Sequence, residues 1–298
     1  MALKEIKYNF RQIAVEFALW VQKIRYELCL NRYYGINPDN EEIAEVMRFV
    51  QHNGIKVFPH PFIFKYNADT IDVFKDKNAN MFYVETDDSK KLYFPRDMTK
   101  MQIRHYYNFL RMEQDIDSPH RYLYGDFGVG DEEIVADIGC AEGNFGLSVV
   151  EKVKKLYLFE RSEKWIEALN FTFSPYLDKV EIIQKFVSDS DEKDNITLNS
   201  FFKDKKIDFI KLDVDGAEKR IMDAGAEILK RKRLKIALCI YHNQSDIDVL
   251  GAKMKEYGYS IEYSKGYMIF LYSFKVEKPY LRKVLIRGIK DHRYLQMS

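Results

Sequence analysis

The spacing of apolar and polar positions changes several times along the chain. From Phe10 to Leu28, apolar residues recur at three- and four-residue steps (Phe10, Ile13, Phe17, Trp20, Ile24, Leu28), which predicts one long amphipathic helix. Such a stripe serves as a seam against its own domain or as a homodimer interface, and intrachain docking is the commoner use. Pro38-Asp-Asn40 opens a second helix with Ile43, Val46, Met47 and Val50 on one face. Between Phe62 and Phe94 the period shortens. Apolar runs at 71–74, 81–84 and 92–94, separated by Asp/Asn/Lys/Ser turns, predict a small antiparallel meander. Helical spacing returns over 98–113.

From Ile134 the pattern alternates between short apolar runs and helical faces. Ile134, Val135 and Ile138 predict a strand that Gly139 ends, and Phe145, Val149, Val150 and Val153 follow at helical spacing. Residues 155–159 form the second predicted strand. Ser162 caps the next helix, which carries Trp165, Ile166 and Leu169 inward until Pro175 stops it. Strands follow at 180–183, 209–212 and 236–242, with a helix to Leu229 after the fourth. Ser245 and Asp248 suggest a capping box for a helix over 246–257, and residues 259–263 and 267–272 suggest a hairpin. Alternating strands and helices predict an α/β fold with a mostly parallel sheet, closed by the antiparallel hairpin and preceded by an α+β cap region. The expected boundaries are a cap over 1–116, an α/β domain over 117–273 and a basic tail over 274–298. That tail carries Lys275, Lys278, Arg282, Lys283, Arg287, Lys290 and Arg293 against Glu277 and Asp291. It reads as a solvated terminus that could also meet a nucleotide diphosphate.

Composition narrows the function classes. A net charge of +1 gives no field to recruit nucleic acid, and no apolar run is long enough for membrane insertion. Cys29, Cys140 and Cys239 are too few and too scattered for a disulfide framework or a metal cluster. The first residues lack the apolar core of a secretory signal, so the expected location is cytoplasmic.

Two stretches carry candidate chemistry. The first, Val135-Ala-Asp-Ile-Gly-Cys-Ala-Glu-Gly-Asn-Phe-Gly146, is a strand, a tight Gly-rich turn and a helix start. Its spacing is Asp-x-Gly-x-x-x-Gly, unlike the Gly-x-Gly-x-x-Gly of dinucleotide binders. Asp137 would repel a pyrophosphate and suits a cationic ligand without phosphate, a description that S-adenosylmethionine meets. Glu160, at the tip of the second strand, is placed to accept ribose hydroxyls, and residues 186–189 lie where an adenine edge would fall. The second stretch, 207–218, crowds Asp213, Asp215 and Glu218 at the end of the fourth strand, where ligands of such sheets bind. His242 and Asn243 leave the fifth strand beside them. Pro119 holds His120 and Arg121 on a loop before the first strand.

Together these motifs resemble the FkbM-type S-adenosylmethionine-dependent methyltransferases over roughly residues 118–272. The likeness rests on Ser-Pro-His-Arg-Tyr122, Asp-Ile-Gly-Cys-Ala-Glu-Gly-Asn-Phe145, Phe-Glu160, Asp-Phe-Ile-Lys-Leu-Asp-Val-Asp-Gly-Ala-Glu218 and Ile-Tyr-His242. This chain has Asp215 where the family usually carries Glu, and Asn199 where it carries Asp. The resemblance implies a Rossmann-like class I methyltransferase fold and O-methylation of a sugar hydroxyl, with a sugar or nucleotide-sugar as acceptor. The expected cofactor contacts are Asp137, Gly139, Cys140, Ala141, Glu142, Gly143, Phe145, Glu160, Arg161, Val187, Ser188 and Asp213. His242 is expected as the base that takes the alcohol proton, with Asp213 or Glu218 orienting it. His120, Asp215 and Asn243 are expected to face the acceptor. A divalent metal at Asp213, His242 and Asn243 is a variant, not expected to be obligatory, because an imidazole is an unusual ligand for Mg²⁺. A nucleic-acid methyltransferase and a non-catalytic assembly protein are the rival classes. The first lacks a basic surface here, and the second has no need of Asp137, Glu160 and His242 together.

Overall fold

The protein is described by a computed structural model over residues 2–35, 38–272 and 275–290, with side chains from residue 15 onward. The N-terminal part contains α1 (Ala2–Tyr34), α2 (Glu41–Asn53), the meander β1 (Phe74–Asp76), β2 (Met81–Glu85) and β3 (Lys91–Tyr93), and α3 (Lys100–Glu113). Asn40 caps α2 by accepting from Ile43 N, and Thr99 with Gln102 forms a capping box on α3. β1 starts three residues later than the pattern suggested, because Ile71 and Val73 are spent as core residues before the chain pairs with β2.

The stripe on α1 also departs from expectation. Phe17, Trp20, Ile24 and Leu28 are exposed, and Gln22, Tyr26 and Leu30 on the opposite face are buried instead. Tyr26 and Leu30 pack with Val46, Met47, Val50, Ile269 and Leu281. The docking surface presents the Phe270 carbonyl, to which the Tyr26 hydroxyl donates at 2.9 Å; an all-apolar stripe would leave it bare. The side chains of Phe10 and Ile13 lie outside the described residues.

The α/β part runs β4 (Ile134–Ile138), α4 (Asn144–Val149), β5 (Lys155–Phe159), α5 (Glu163–Thr172), β6 (Val180–Ile183), the small pair β7 (Phe186–Val187) and β8 (Asn195–Ile196), and α6 (Leu198–Phe202). It continues with β9 (Phe209–Leu212), α7 (Glu218–Ala224), α8 (Ala226–Leu229), β10 (Lys235–Cys239), α9 (Asp246–Glu256), β11 (Ser260–Tyr263) and β12 (Leu285–Ile289). The main sheet has the order β11-β12-β10-β9-β4-β5-β6, parallel from β10 to β6. Its central strands are buried on both faces, as a parallel sheet covered by two layers requires. One face packs on α6 to α9 through Ile138, Leu212 and Leu238. The other receives the N-terminal region through a core that joins Phe94, Ile103 and Leu110 to Val135, Phe145 and Phe209.

The closing hairpin is not the one read from the pattern. β11 pairs antiparallel with β12, and residues 267–272 contribute only a bridge from Met268 to Arg282. β12 lies between β10 and β11, inside the segment expected to be a basic tail. Its cations are consumed by the fold. Arg287 is buried and donates to the carbonyls of Tyr122 and Arg121, and buried Arg282 donates to the carbonyls of Tyr241 and His242. Phe274, Asp291 and Arg293 lie outside the described residues. Two caps differ as well: neither Ser162 nor Ser245 bonds its helix through the side chain. Glu160 accepts Ser162 N, and Asp246 accepts Asn243 N. The helix expected to run to Leu229 breaks at Gly225, where a side chain would meet Leu198 at 2.8 Å.

Candidate active site

The Gly-rich turn is built by the chain's own backbone. Gly139 has φ +73°, and a Cβ there would sit 2.0 Å from the Asp213 carbonyl oxygen. Gly143, at φ +82°, starts α4 over Leu169 and Phe173. Both glycines therefore let β9 and α5 approach. Glu160 ties this turn to the next helix. Its Oε2 accepts from Ala141 N at 3.1 Å and its Oε1 from the amides of Arg161 (2.8 Å) and Ser162 (2.7 Å).

Under the turn lies a buried charge pair. Asp137 and Lys211 stand opposite each other in the β4–β9 register, with Lys211 Nζ 3.1 Å from Asp137 Oδ1 and donating to the Gly139 carbonyl at 2.6 Å. Burial opposes the charge on Lys211, but the Asp137 and Asp213 carboxylates outweigh it and raise its pKa. Asp137 is fully buried, so its carboxylate sits beneath the turn and away from the solvent side.

Asp213, just past β9, accepts from two tyrosines: Tyr122 at Oδ2 (2.9 Å) and Tyr241 at Oδ1 (3.1 Å). Burial would raise its pKa, but Lys211, His120, His242 and the Tyr122 hydroxyl outweigh this and hold it down at about 2. His120 is buried, with Nε2 3.3 Å from the Tyr241 hydroxyl and 3.9 Å from Asp213. Its burial lowers its pKa to about 4, so it is neutral at neutral pH. The loop that carries His120 is packed over the sheet by its aromatic residues.

His242 follows β10 and meets three carboxylates. Nδ1 lies 2.8 Å from Glu218 Oε1, and Nε2 lies 3.6 Å from Asp213 and 3.8 Å from Asp215. Burial disfavours the imidazolium, but the Glu218 contact and the charges of Asp213 and Asp215 outweigh it and raise the pKa. Glu218 is itself fixed, since its Oε1 accepts from Val214 N at 3.1 Å. His242 opens on a cavity of about 810 Å³ between α3 and the sheet. Tyr106, Phe109, Tyr241, Phe270 and Tyr272 give it aromatic walls, with Met98, Met101 and Met268 alongside. Its polar groups include Glu113, His120 and Asp215. Burial, then the Asp213 and Glu142 charges, push the Glu113 carboxyl well up.

The structure brings Asp213, Glu218, His242, His120 and Asp215 to one place and sets Glu160 beside the Gly-rich turn. The remaining expected residues make the following contacts within the protein. Phe145 is core, stacked on Phe209, and Cys140 is buried. Glu142 accepts from Tyr106 at 2.9 Å, Arg161 lies over the Phe186 ring, and Val187 is buried in β7 beside half-buried Ser188. Asn243 lines a different cavity and bonds Asp246 and the Gly216 carbonyl. Sequence reasoning missed Lys211, Tyr122, Tyr241 and Glu113. The position of Lys211, two before Asp213 on one strand face, was the available signal for the first.

The turn's chemistry fits S-adenosylmethionine. Glu160 sets a carboxylate at the turn, and the buried lysine beneath it is neutralised by Asp137, so the turn offers no free positive charge to a polyphosphate. Glu160 has lone pairs left at a strand tip, where ribose hydroxyls can donate. Among the described residues, Asp213, Glu218 and His242 present ligand atoms within 4.8 Å of one another, a donor set that a cation could use.

A 140-residue stretch is 29% identical to a probable cobalt-precorrin-6B C(15)-methyltransferase (decarboxylating) of Methanococcus maripaludis, spanning 47% of this chain and 69% of that protein. The crystal structure of methyltransferase FkbM from Methylobacillus flagellatus KT matches 64% of this chain and 53% of its own length, with TM-score 0.47 and 16% identity. Precorrin-6y C5,15-methyltransferase from Geobacter metallireducens GS-15 matches 55% of this chain and 84% of its own, with TM-score 0.40 and 14% identity. No described helix is long and apolar enough to cross a membrane. The model of the methyltransferase FkbM domain matches residues 9–261, and membership implies the use of S-adenosylmethionine; this chain belongs to the FkbM methyltransferase family.

Proposed function

We propose that the protein is an O-methyltransferase that uses His242 to take the proton from a sugar hydroxyl as the methyl group is transferred. The observation that carries this reading is His242 on the cavity wall, with Glu218 at Nδ1 and Asp213 and Asp215 near Nε2. S-adenosylmethionine supplies an electrophilic methyl on a sulfonium, so the protein's tasks are alignment and proton removal. Glu218 fixes the ring and stabilises the imidazolium that forms. Asp213, held ionised by two hydroxyls and Lys211, adds negative charge where positive charge gathers.

The cavity supports a sugar acceptor. A pyranose has apolar C–H faces that suit Tyr106, Phe109, Phe270 and Tyr272, and a rim of hydroxyls that Glu113 and Asp215 can bind. The reaction needs no obligatory metal in this reading. Asp213 and Glu218 keep lone pairs beside their hydroxyl and amide donors, so removal of divalent cations is what separates a base at position 242 from a metal ligand there.

The test is methyl transfer to a panel of nucleotide-sugars and oligosaccharides, read by mass spectrometry, with and without EDTA. Methylation of a sugar that resists EDTA is the expected result. Methylation of catechols alone would sink the sugar assignment, and activity lost to EDTA and restored by Mg²⁺ would make His242 and Asp213 metal ligands.

A further inference from the structure

We infer that the exposed face of α1 is a parallel coiled-coil seam that pairs with α1 of a second copy of this chain. The face opposite the docked Tyr26 and Leu30 carries Phe17 (63% exposed), Val21, Ile24 and Leu28 (66% exposed). These fall at alternating steps of four and three, which is the heptad repeat with Val21 and Leu28 at a, and Phe17 and Ile24 at d. Asn31 takes the next d position, where the apolar seam ends. In the sequence, Phe10 and Ala14 continue the repeat toward the N-terminus, and Lys7 interrupts it at the a position before Leu3, on a helix of roughly 50 Å.

Charge on the flanks selects the occupant and its direction. In a parallel pair, each g position meets the e position five residues on in the partner. Here g and e are Trp20 with Arg25, and Glu27 with Arg32, all exposed. The first is a cation over an aromatic face, the second an ion pair, and the two-fold axis repeats both. A membrane surface is the rival occupant, since α1 carries Lys4, Lys7, Arg11, Lys23, Arg25 and Arg32 against Glu5, Glu16 and Glu27; the complementary g–e pairing favours the second copy. Because the docked face lies on the far side of α1, the two globular parts would sit outside the seam and not obstruct it.

Sedimentation of the full chain at micromolar concentration should give twice the 35.5 kDa chain mass. Ile24→Lys combined with Leu28→Lys should give a monomer whose S-adenosylhomocysteine affinity is unchanged, since neither residue approaches the catalytic site. Glu27→Arg should weaken the dimer, and Glu27→Arg with Arg32→Glu should restore it. Under mild oxidation Leu28→Cys should cross-link to itself across the dyad, while the wild type, with Cys29 off the seam, should not. A monomeric wild type, including one that co-sediments with phosphatidylglycerol vesicles, would overturn the proposal. So would a dimer that survives the double lysine variant. A dimer without the 28–28 cross-link would overturn the parallel arrangement.

Discussion

The carboxylate neighbours of His242 raise its pKa above the ordinary imidazole value of about 6.5. A base must be neutral to accept a proton, so kcat should climb with pH through a midpoint above that value. Glu218→Gln removes the principal stabiliser of the imidazolium, and should move this acidic limb to lower pH while lowering kcat. A limb that stays in place would show that Glu218 does not set the proton affinity of His242. His120, neutral above about pH 4, should contribute no limb near neutrality. Glu160 makes the matching prediction for the cofactor. Glu160→Ala should weaken S-adenosylhomocysteine binding by about 1–3 kcal/mol in calorimetry, the scale of a lost charged acceptor. Glu160→Gln, which keeps one acceptor oxygen, should lose less. These residues were legible because strand-end acids and a strand-end histidine stand out against apolar runs. Lys211, Tyr122 and Tyr241 were not, because their roles come from strand register and from a loop folded over the sheet.

At the scale of elements, the turn after β4 and the strand β12 show what pattern alone could and could not supply. The Asp-x-Gly-x-x-x-Gly spacing located the turn, but only the packing shows that Gly139 is demanded by the Asp213 carbonyl. Gly139→Ala adds positive-φ strain to a backbone clash and should lower stability by about 2–4 kcal/mol in urea unfolding. Gly128→Ala, with nothing within 4 Å of its added methyl, is the control and should be near neutral. β12 was missed because its five residues include a buried arginine and a glycine amid a cation-rich segment, so net basicity concealed a central strand. Deleting residues 280–298 should therefore give aggregated or unfolded protein. A soluble, folded product with altered acceptor KM would contradict the place of β12 in the sheet.

For the whole molecule, the N-terminal region and the sheet together make the acceptor cavity, with α3 and the segment around Phe270 as walls and His242 at the sheet edge. The alternation of strands and helices announced the fold, and the cap was visible as a change of period. The joining of cap and sheet into one core was not, since it depends on contacts such as Tyr93 N donating to the Thr172 hydroxyl at 3.0 Å. The central claim is that His242 removes the acceptor's proton without an obligatory metal. The most direct measurement is the pH dependence of single-turnover methyl transfer in EDTA, for the wild type and His242→Gln. The wild-type rate should rise through the raised imidazole pKa, and the variant should be roughly 10²- to 10⁴-fold slower with that limb gone and S-adenosylhomocysteine binding retained. A His242→Gln enzyme that keeps both the rate and the limb would contradict it.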